Sequence, residues 1–440
     1  MIPQPRPLAR THPDAVIEPR PASGRGRRNA AMVEHRDANR LPMSKIVQVA
    51  SVSLDEGAPL LREPSRPAAY RDETFEARFD RHTLVYDAIR SPETGQVRIV
   101  APALLNLLPE IQSGHFRQAG AEDDIPFSVR SLDRQTQILL EGPANSRHLT
   151  LDCSLGRFPI KPNDEQFDLF RDQRVVFTLS KNNRLEWIAD WVRFYRDVHG
   201  ATAVLIFDNA STAYTAQQLL ETIAAIEGIK VAVVVEWPFR HGPPGIGSYQ
   251  YWDSNFSQLG AFEVARWRFL GKARSVLNCD IDELVVSRSG ASIFAAVERS
   301  LTGVVSFFGD WVVGLDDITP TPDGTAPIRF RDFTHVVTPK RGFRHGIIPY
   351  SPTRCRPKWA LVPSRCPAGA QWHIHTIAKW LPARVVGRRF QFRHFREINF
   401  NWKYDRLGRE RFDPERFHVD PLMQAAFARV KWADRSGERS

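Results

Sequence analysis

Between residues 172 and 290 the chain alternates short runs of consecutive apolar residues with longer amphipathic stretches. Residues 174–179 and 203–207 are mainly apolar runs of the length expected for buried strands. Residues 185–198 repeat apolar side chains at helical spacing, and residues 216–226 predict a second helix. Strands that alternate with helices in this way predict the α/β class, with a mostly parallel sheet flanked by helices.

Polar side chains follow these predicted strands at the points where the strands end. Lys181 follows the first strand, Asp208 follows the second, and Asp280 and Asp282 follow a later apolar run at residues 275–279. Ligands of parallel sheets bind beyond the carboxyl ends of the strands. The three polar strand ends therefore predict a ligand site at one edge of the sheet.

The regions on either side of this pattern differ from it. Residues 1–70 are rich in Arg and Pro and predict a disordered segment, because they contain too few apolar residues for a core. Residues 71–170 contain short alternating runs that predict a small β-rich region. The α/β domain is expected to span 171–405, and residues 406–440 to form a short helix and a tail.

Composition narrows the class of protein further. The 440 residues are 42% hydrophobic and 25% charged, as in ordinary globular proteins, and the four cysteines show no CxxC spacing. With neither an apolar run of about 18 residues nor a secretory signal, we expect a cytoplasmic protein with free thiols. The net charge of +10 predicts an anionic partner: a nucleotide diphosphate, a nucleic acid or an acidic membrane surface.

Asp280-Ile281-Asp282 interrupts an otherwise apolar run. Side chains at i and i+2 of a strand point the same way, so the two carboxylates could be directed at one point. Such hard oxygen ligands suit Mg²⁺ or Mn²⁺, which also bind substrate phosphates. The local alternative is an exposed strand end with solvated acids, but the position after two other polar strand ends favours a metal site.

The order of these motifs resembles that of GT-A glycosyltransferases of the family 2 and family 92 type. The resemblance covers roughly residues 172–405 and departs from the family pattern at Asn183, where Glu is usual, and at Tyr195, where His is frequent. The motifs that carry it are Lys181-Asn182, Asp208-Asn209-Ala210-Ser211-Thr212, Gln258-Leu259-Gly260-Ala261, Gly271-Lys272-Ala273-Arg274 and Asp280-Ile281-Asp282-Glu283.

The resemblance implies a GT-A-like, Rossmann-like fold and transfer of a sugar, with inversion, from a nucleotide-diphosphate donor. The acceptor would be a hydroxyl of a glycan, a lipid-linked glycan or a protein. Asp280 and Asp282 would bind Mn²⁺ or Mg²⁺, with His394 as third ligand and His373 and His375 as competitors for that role. The residues expected to contact the donor are Lys181, Asn182, Asp208, Gln258, Lys272, Arg274, Asp280 and Lys358, with Arg354 and Arg356 as further cations for the diphosphate.

An inverting transferase needs a carboxylate to deprotonate the acceptor. Glu283, Asp310, Asp316 and Asp317 are the candidates, and the resemblance favours Asp316 or Asp317 because family 2 bases lie on a loop after the metal motif. Five aromatic residues are candidates for stacking on sugar rings, with a place in the core as the alternative: Trp237, Tyr249, Tyr251, Trp252 and Trp311. For Asp208 the alternative role is a local Asx turn.

Two other classes of protein fit part of the pattern. A phosphatase of the haloacid dehalogenase type also has a DxD after a strand, but it needs Thr or Val where Leu284 stands. A non-enzymatic anion-binding or nucleic-acid-binding protein would fit the positive charge, yet no nucleic-acid-binding motif is present, and we expect no nucleic-acid partner. The positive charge is also compatible with peripheral attachment to the anionic lipids of the inner membrane.

Overall fold

The computed structural model describes residues 43–142, 147–245, 253–320, 327–340, 342–344, 348–398 and 408–433. Tyr249, Tyr251 and Trp252 lie outside the described residues, as does most of the N-terminal segment expected to be disordered. The strands of the described residues are β1 Met43–Val47, β2 Val52–Ser53, β3 Thr83–Val85, β4 Asp87–Arg90, β5 Val97–Pro102, β6 His115–Gln118, β7 Phe127–Leu132, β8 Gln135–Leu140, β9 Leu149–Cys153, β10 Gly156–Ile160, β11 Asn163–Asp164, β12 Arg174–Ser180, β13 Ala203–Asp208, β14 Val231–Glu236, β15 Ser275–Asn278, β16 Glu283–Ser287, β17 Val304–Val312, β18 His335–Val337, β19 Gly342–Arg344, β20 Ile348–Tyr350, β21 Cys355–Leu361, β22 Gln371–Trp372, β23 Ile377–Ala378, β24 Val386–Phe395 and β25 Phe417–Val419. The α-helices are α1 Phe75–Arg78, α2 Leu108–Gln112, α3 Leu185–Phe194, α4 Ala216–Ala224, α5 Phe256–Val264, α6 Ile293–Arg299 and α7 Pro421–Phe427.

Within the described residues, a nine-stranded sheet forms the centre of the fold, in the order β1-β14-β13-β12-β15-β21-β17-β24-β16. The α/β class predicted from the apolar pattern is confirmed. The sheet is mixed: β1, β14, β13, β12 and β15 are parallel, whereas β21 is antiparallel to both of its neighbours and β16 is antiparallel to β24. β17 and β24 form a further parallel pair. The parallel strands β12, β13 and β14 are mainly apolar because both of their faces are buried.

Helices α3 and α4 pack on this sheet through their apolar faces, whereas α5 is buried along its whole length. In α3, Ile188, Trp191 and Val192 are buried, and a π-helical turn, Tyr195–His199, continues the helix. The turn ends at Gly200, whose φ of +74° is a left-handed conformation that favours glycine. α4 begins with a capping box in which Thr215 and Gln218 exchange side-chain hydrogen bonds with the backbone.

Residues 87–142 and 147–164 form a separate β-rich layer, in which the described strands make a five-stranded sheet and a three-stranded sheet. Buried polar contacts attach this layer to helix α5 and the π-helical turn after it: Arg268 binds Asp87 at 2.8 Å, and Gln137 donates to Glu263 at 2.6 Å. The segment expected to be disordered up to residue 70 is partly ordered instead, because β1 adds a parallel strand to β14. No helix of the described residues is long and apolar enough to cross a membrane.

Candidate functional site

The carboxyl ends of β12 and β15 border a cleft of about 310 Å³. Along the sheet, β13 and β14 lie on one side of β12 and β15 lies on the other, so the chain changes direction of winding at this point. Such a switch point leaves a crevice beyond the strand ends, where ligands of α/β sheets bind. The cleft therefore lies where the polar strand ends predicted it.

The acidic motif forms a turn in the floor of this cleft. The i, i+2 spacing of Asp280 and Asp282 had suggested that both lie on a strand. Instead, β15 ends at Asn278 and β16 begins at Glu283, so the two residues lie in the turn between these strands. Helix α3 and its π-helical continuation hold the turn from below. Trp191 Nε1 donates to the carbonyl of Asp280 at 2.9 Å, and the Tyr195 hydroxyl donates to the carbonyl of Glu283 at 2.9 Å.

Lys358, on β21, is a buried cation beneath the acidic turn. Its Nζ lies 2.7 Å from Asp280 Oδ2 and 3.0 Å from Glu283 Oε2. Burial would raise the pKa of Asp280, but the Lys358 ammonium outweighs this effect and holds the pKa below its ordinary value. Burial raises the pKa of Glu283 to about 7, against the attraction of Lys358 and with the repulsion of Asp280. The two acids thus have different affinities for a proton.

His394 lies on the other side of the turn. The pairing of β16 with β24 puts it opposite Glu283, and its Nε2 lies 3.0 Å from Asp282 Oδ2. The Trp311 ring stacks on the imidazole with the centroids 4.2 Å apart and the planes 19° from parallel. Ligand atoms of Asp282, Glu283 and His394 all lie within 4.8 Å of one another. The imidazole is therefore held in place on the acidic turn.

This group of side chains fits a divalent cation by its chemistry. Carboxylate oxygens with one imidazole suit Mn²⁺, and the three acids of the turn outnumber the single buried ammonium of Lys358. The expected ligands were Asp280, Asp282 and His394. The structure groups Glu283 with Asp282 and His394 instead, since ligand atoms of these three residues lie within 4.8 Å of one another, and it pairs Asp280 with Lys358.

Of the residues expected to contact a donor, Lys181, Gln258 and Asp280 line the cleft. Asn182 does not line it. Its Oδ1 accepts hydrogen bonds from the backbone N–H groups of Thr212 and Ala213, at 2.6 and 3.0 Å, so this side chain joins the ends of β12 and β13.

Asp208 lines a second cavity, of about 620 Å³, at the carboxyl ends of β13 and β14. Its carboxylate accepts from the Ser211 hydroxyl at 2.6 Å and from the Ser211 N–H at 3.3 Å, which is the local turn considered as its alternative role. Burial raises the pKa of Asp208. Trp237 borders the same cavity but is fully buried, and its Nε1 donates to Ser257, so its ring belongs to the core.

Lys272 and Arg274 lie at the opposite end of the strands from the cleft. Both precede β15, whereas the cleft lies beyond the carboxyl end of that strand. Lys272 Nζ is 3.2 Å from Glu93, and Arg274 Nε is 3.1 Å from Glu298. We expected these two cations to contact a donor. They do not line the cleft, because β15 lies between them and the acidic turn.

The favoured base candidates also lie outside the cleft. Asp316 and Asp317 are exposed on the loop after β17, and neither lines the cavity. Asp310 is buried and paired with Arg354 and Arg393, at 3.0 and 3.1 Å. Among these candidates, Glu283 alone lines the cleft formed by the described residues.

The two histidines of the 373–375 stretch point in different directions. His375 lines the cleft and donates from Nδ1 to the Pro357 carbonyl at 3.1 Å; burial and the nearby Lys358 ammonium lower its pKa to about 3. His373 lies 3.5 Å from Asp133 of the β-rich layer. Sequence reasoning missed His241, Asn255 and Cys355, which also line the cleft. The first of these had one signal, its position in the Pro/Gly-rich loop after β14.

Comparison with known proteins adds no family assignment: no protein-family model matches the chain, and no curated protein matches it. The class that the structure defines is an α/β protein with an acidic, His-containing cleft at a topological switch point. The function of that cleft has to be argued from its side chains.

Proposed function

We propose that this protein is a metal-dependent glycosyltransferase with a GT-A-like domain. It would transfer a sugar from a nucleotide-diphosphate donor to the hydroxyl of a glycan or another acceptor. The observation that carries the proposal is the grouping of Asp282, Glu283 and His394 on the Asp280–Glu283 turn, beyond the carboxyl end of β15. The motif order along the chain, which resembles families 2 and 92, supports it independently.

The cleft supplies groups for each requirement of such a reaction. Asp282 and His394 would hold Mn²⁺ or Mg²⁺, which when bound stabilises negative charge on a departing diphosphate. Lys181 and Arg356, which also line the cleft, provide positive charge for the phosphates. Gln258 offers an amide for hydrogen bonds to the donor.

Glu283 is the base that this geometry favours. It lies in the cleft, and burial raises its pKa to about 7, where a carboxylate is a stronger base than an ordinary Glu. Lys358 and the backbone of the turn orient it, because Lys358 Nζ lies 3.0 Å from its Oε2 and the Asp280 N–H donates to the same oxygen at 2.9 Å. Glu283 would accept the acceptor's proton as the sugar is transferred.

Thermal stability with a panel of nucleotide-diphosphate sugars tests the proposal. A donor that binds the folded protein raises the melting temperature by linkage, so one common donor should do so in the presence of Mn²⁺. Asp282→Ala should abolish the shift. The matched control, Asp123→Ala, removes an exposed acid from the β-rich layer and should leave the shift unchanged.

Two outcomes would contradict the proposal. If no nucleotide-diphosphate sugar shifts the melting temperature with either Mn²⁺ or Mg²⁺, the cleft is not a donor site. Rapid Mg²⁺-dependent hydrolysis of an aryl phosphate that is lost in Asp280→Asn would favour the phosphatase alternative instead.

A further inference from the structure

One long stretch of the chain carries positively charged residues and no acidic ones. Residues 333–396 contain thirteen Lys or Arg and no Asp or Glu. Several of these cations are neutralised by acids from elsewhere: Lys358 by Asp280, Arg354 by Asp310, and Arg393 by Asp420. Four of the other cations, Lys379, Arg384, Arg388 and Arg389, lie at or just before the start of β24.

The segment 379–389, which we term the basic edge, carries exposed cations and exposed apolar side chains together. Lys379, Arg384, Arg388 and Arg389 are exposed, and Arg288 joins them because its N–H donates to the Arg389 carbonyl at 3.3 Å. Within the described residues, none of the five has an acidic side chain as an ion-pair partner. The basic edge therefore has positive charge that the described part of the fold does not balance.

Two large apolar side chains stand among these cations. Leu381 begins a short 3₁₀ turn and is 74% exposed. Val385 directly follows this turn and is 73% exposed. The turn is fixed to the sheet by Ser306, whose hydroxyl donates to the Ala383 carbonyl at 2.8 Å. Leu301, which is fully exposed on the loop before β17, lies at the same edge of the sheet because β17 and β24 begin there in parallel.

We propose that the basic edge is a docking surface for a membrane that contains anionic phospholipids. Each Lys or Arg near such a surface contributes about 1 kcal/mol of attraction. Exposed Leu and Val between the cations would enter the boundary between headgroups and acyl chains, as in other interfacial segments. A nucleic acid would satisfy the charge but offers no apolar phase for Leu381 and Val385, so the combination favours lipid.

The position of the basic edge determines the direction in which the cleft would face relative to the membrane. Ser306 pairs with Val386 at the basic edge, and Trp311 pairs with His394 at the cleft. Five residues of strand separate the two positions, or roughly 16 Å. Docked by its basic edge, the protein would direct the cleft away from the lipid, so that a ligand can enter from the aqueous side. The docking itself does not depend on the chemistry proposed for the cleft.

Co-sedimentation of the full chain with vesicles tests this proposal. The protein should bind vesicles of phosphatidylcholine with phosphatidylglycerol and should not bind vesicles of phosphatidylcholine alone. The triple variant Arg384→Gln, Arg388→Gln, Arg389→Gln should partition about 100-fold more weakly, since three such cations contribute about 3 kcal/mol. The matched control changes three exposed cations elsewhere, Arg147, Lys161 and Arg411, to Gln and should bind like the wild type.

A second variant tests the apolar part of the surface. Leu381→Ser together with Val385→Ser should weaken vesicle binding about tenfold or more without changing the net charge. Val419→Ser, on β25, removes an exposed valine elsewhere and is its control. Equal binding by the wild type and the Arg triple variant would overturn the proposal. So would salt-sensitive RNA binding that is lost in the triple variant, with no binding to anionic vesicles.

Discussion

Lys358 has no exposed side-chain surface, and its ammonium lies 2.7 Å from a carboxylate oxygen of Asp280. A buried ammonium of this kind is retained only when acids compensate its charge, and Asp280 and Glu283 do so. The cation is thus part of the acidic turn's own structure, and it joins β21 to the β15–β16 turn.

Lys358→Met should destabilise the fold by about 3 kcal/mol, because it leaves the buried carboxylate of Glu283 and the half-buried carboxylate of Asp280 without their cation. Urea unfolding at neutral pH measures this change. Mn²⁺ should raise the melting temperature of the variant more than that of the wild type, since a bound cation replaces the missing charge. An unfolding free energy equal to that of the wild type would show that the ion pair does not hold the turn.

Trp311→Ala should lower the affinity for Mn²⁺ by about tenfold or more, because Trp311 stacks on His394 and fixes the ring. Isothermal titration with Mn²⁺ measures the affinity. Trp311→Phe retains an aromatic ring and is the matched control. Its affinity for Mn²⁺ should fall less than that of the Ala variant. Identical affinities for all three proteins would show that the Trp311 ring does not position a metal ligand.

Glu283→Gln should lower sugar transfer by about 100-fold or more if Glu283 is the base. Asp316→Ala and Asp317→Ala should each stay near the wild-type rate, because both side chains are exposed on the loop after β17 and outside the cleft. The comparison uses a donor found by the thermal panel and measures released nucleotide diphosphate. The reverse result, with activity lost at Asp316 or Asp317 and kept at Glu283, would restore the interpretation from sequence.

The protein should lose stability as the pH falls from about 6.5 to about 4, in part through His199. His199 is buried, its Nε2 donates to the Val285 carbonyl at 2.7 Å and its Nδ1 accepts from the Ile293 N–H at 3.1 Å, so both nitrogens are satisfied in the neutral ring. Burial lowers its pKa to about 4. The unfolded chain therefore binds a proton first, at about pH 6.5.

The stability that His199 contributes is complete above about pH 6.5 and is lost as the pH falls toward 4. It amounts to about 3 kcal/mol over this range. Urea unfolding at a series of pH values checks it, with His115→Gln as an exposed-histidine control. His199→Gln should show a flatter dependence on pH than the wild type, and an unchanged slope would contradict the assignment.

The local pattern of the chain determined the class of fold and the place of the cleft. Apolar runs of strand length and helices of regular spacing follow from side chains that are near neighbours in sequence, and these predicted β12, β13 and β15 with α3 and α4. Asp280 and Asp282 were identified because a pair of acids after an apolar run depends on local sequence alone. The α/β alternation also placed them at a strand's carboxyl end.

Only the tertiary structure decided which side chains meet there. Lys358 reaches Asp280 across 78 positions of sequence, and His394 reaches Asp282 across 112, through strand pairings that no local pattern specifies. Strand direction likewise placed Lys272 at the far edge. The reason is physical: secondary structure depends on neighbours in the chain, whereas a site depends on the register and direction in which distant strands pair.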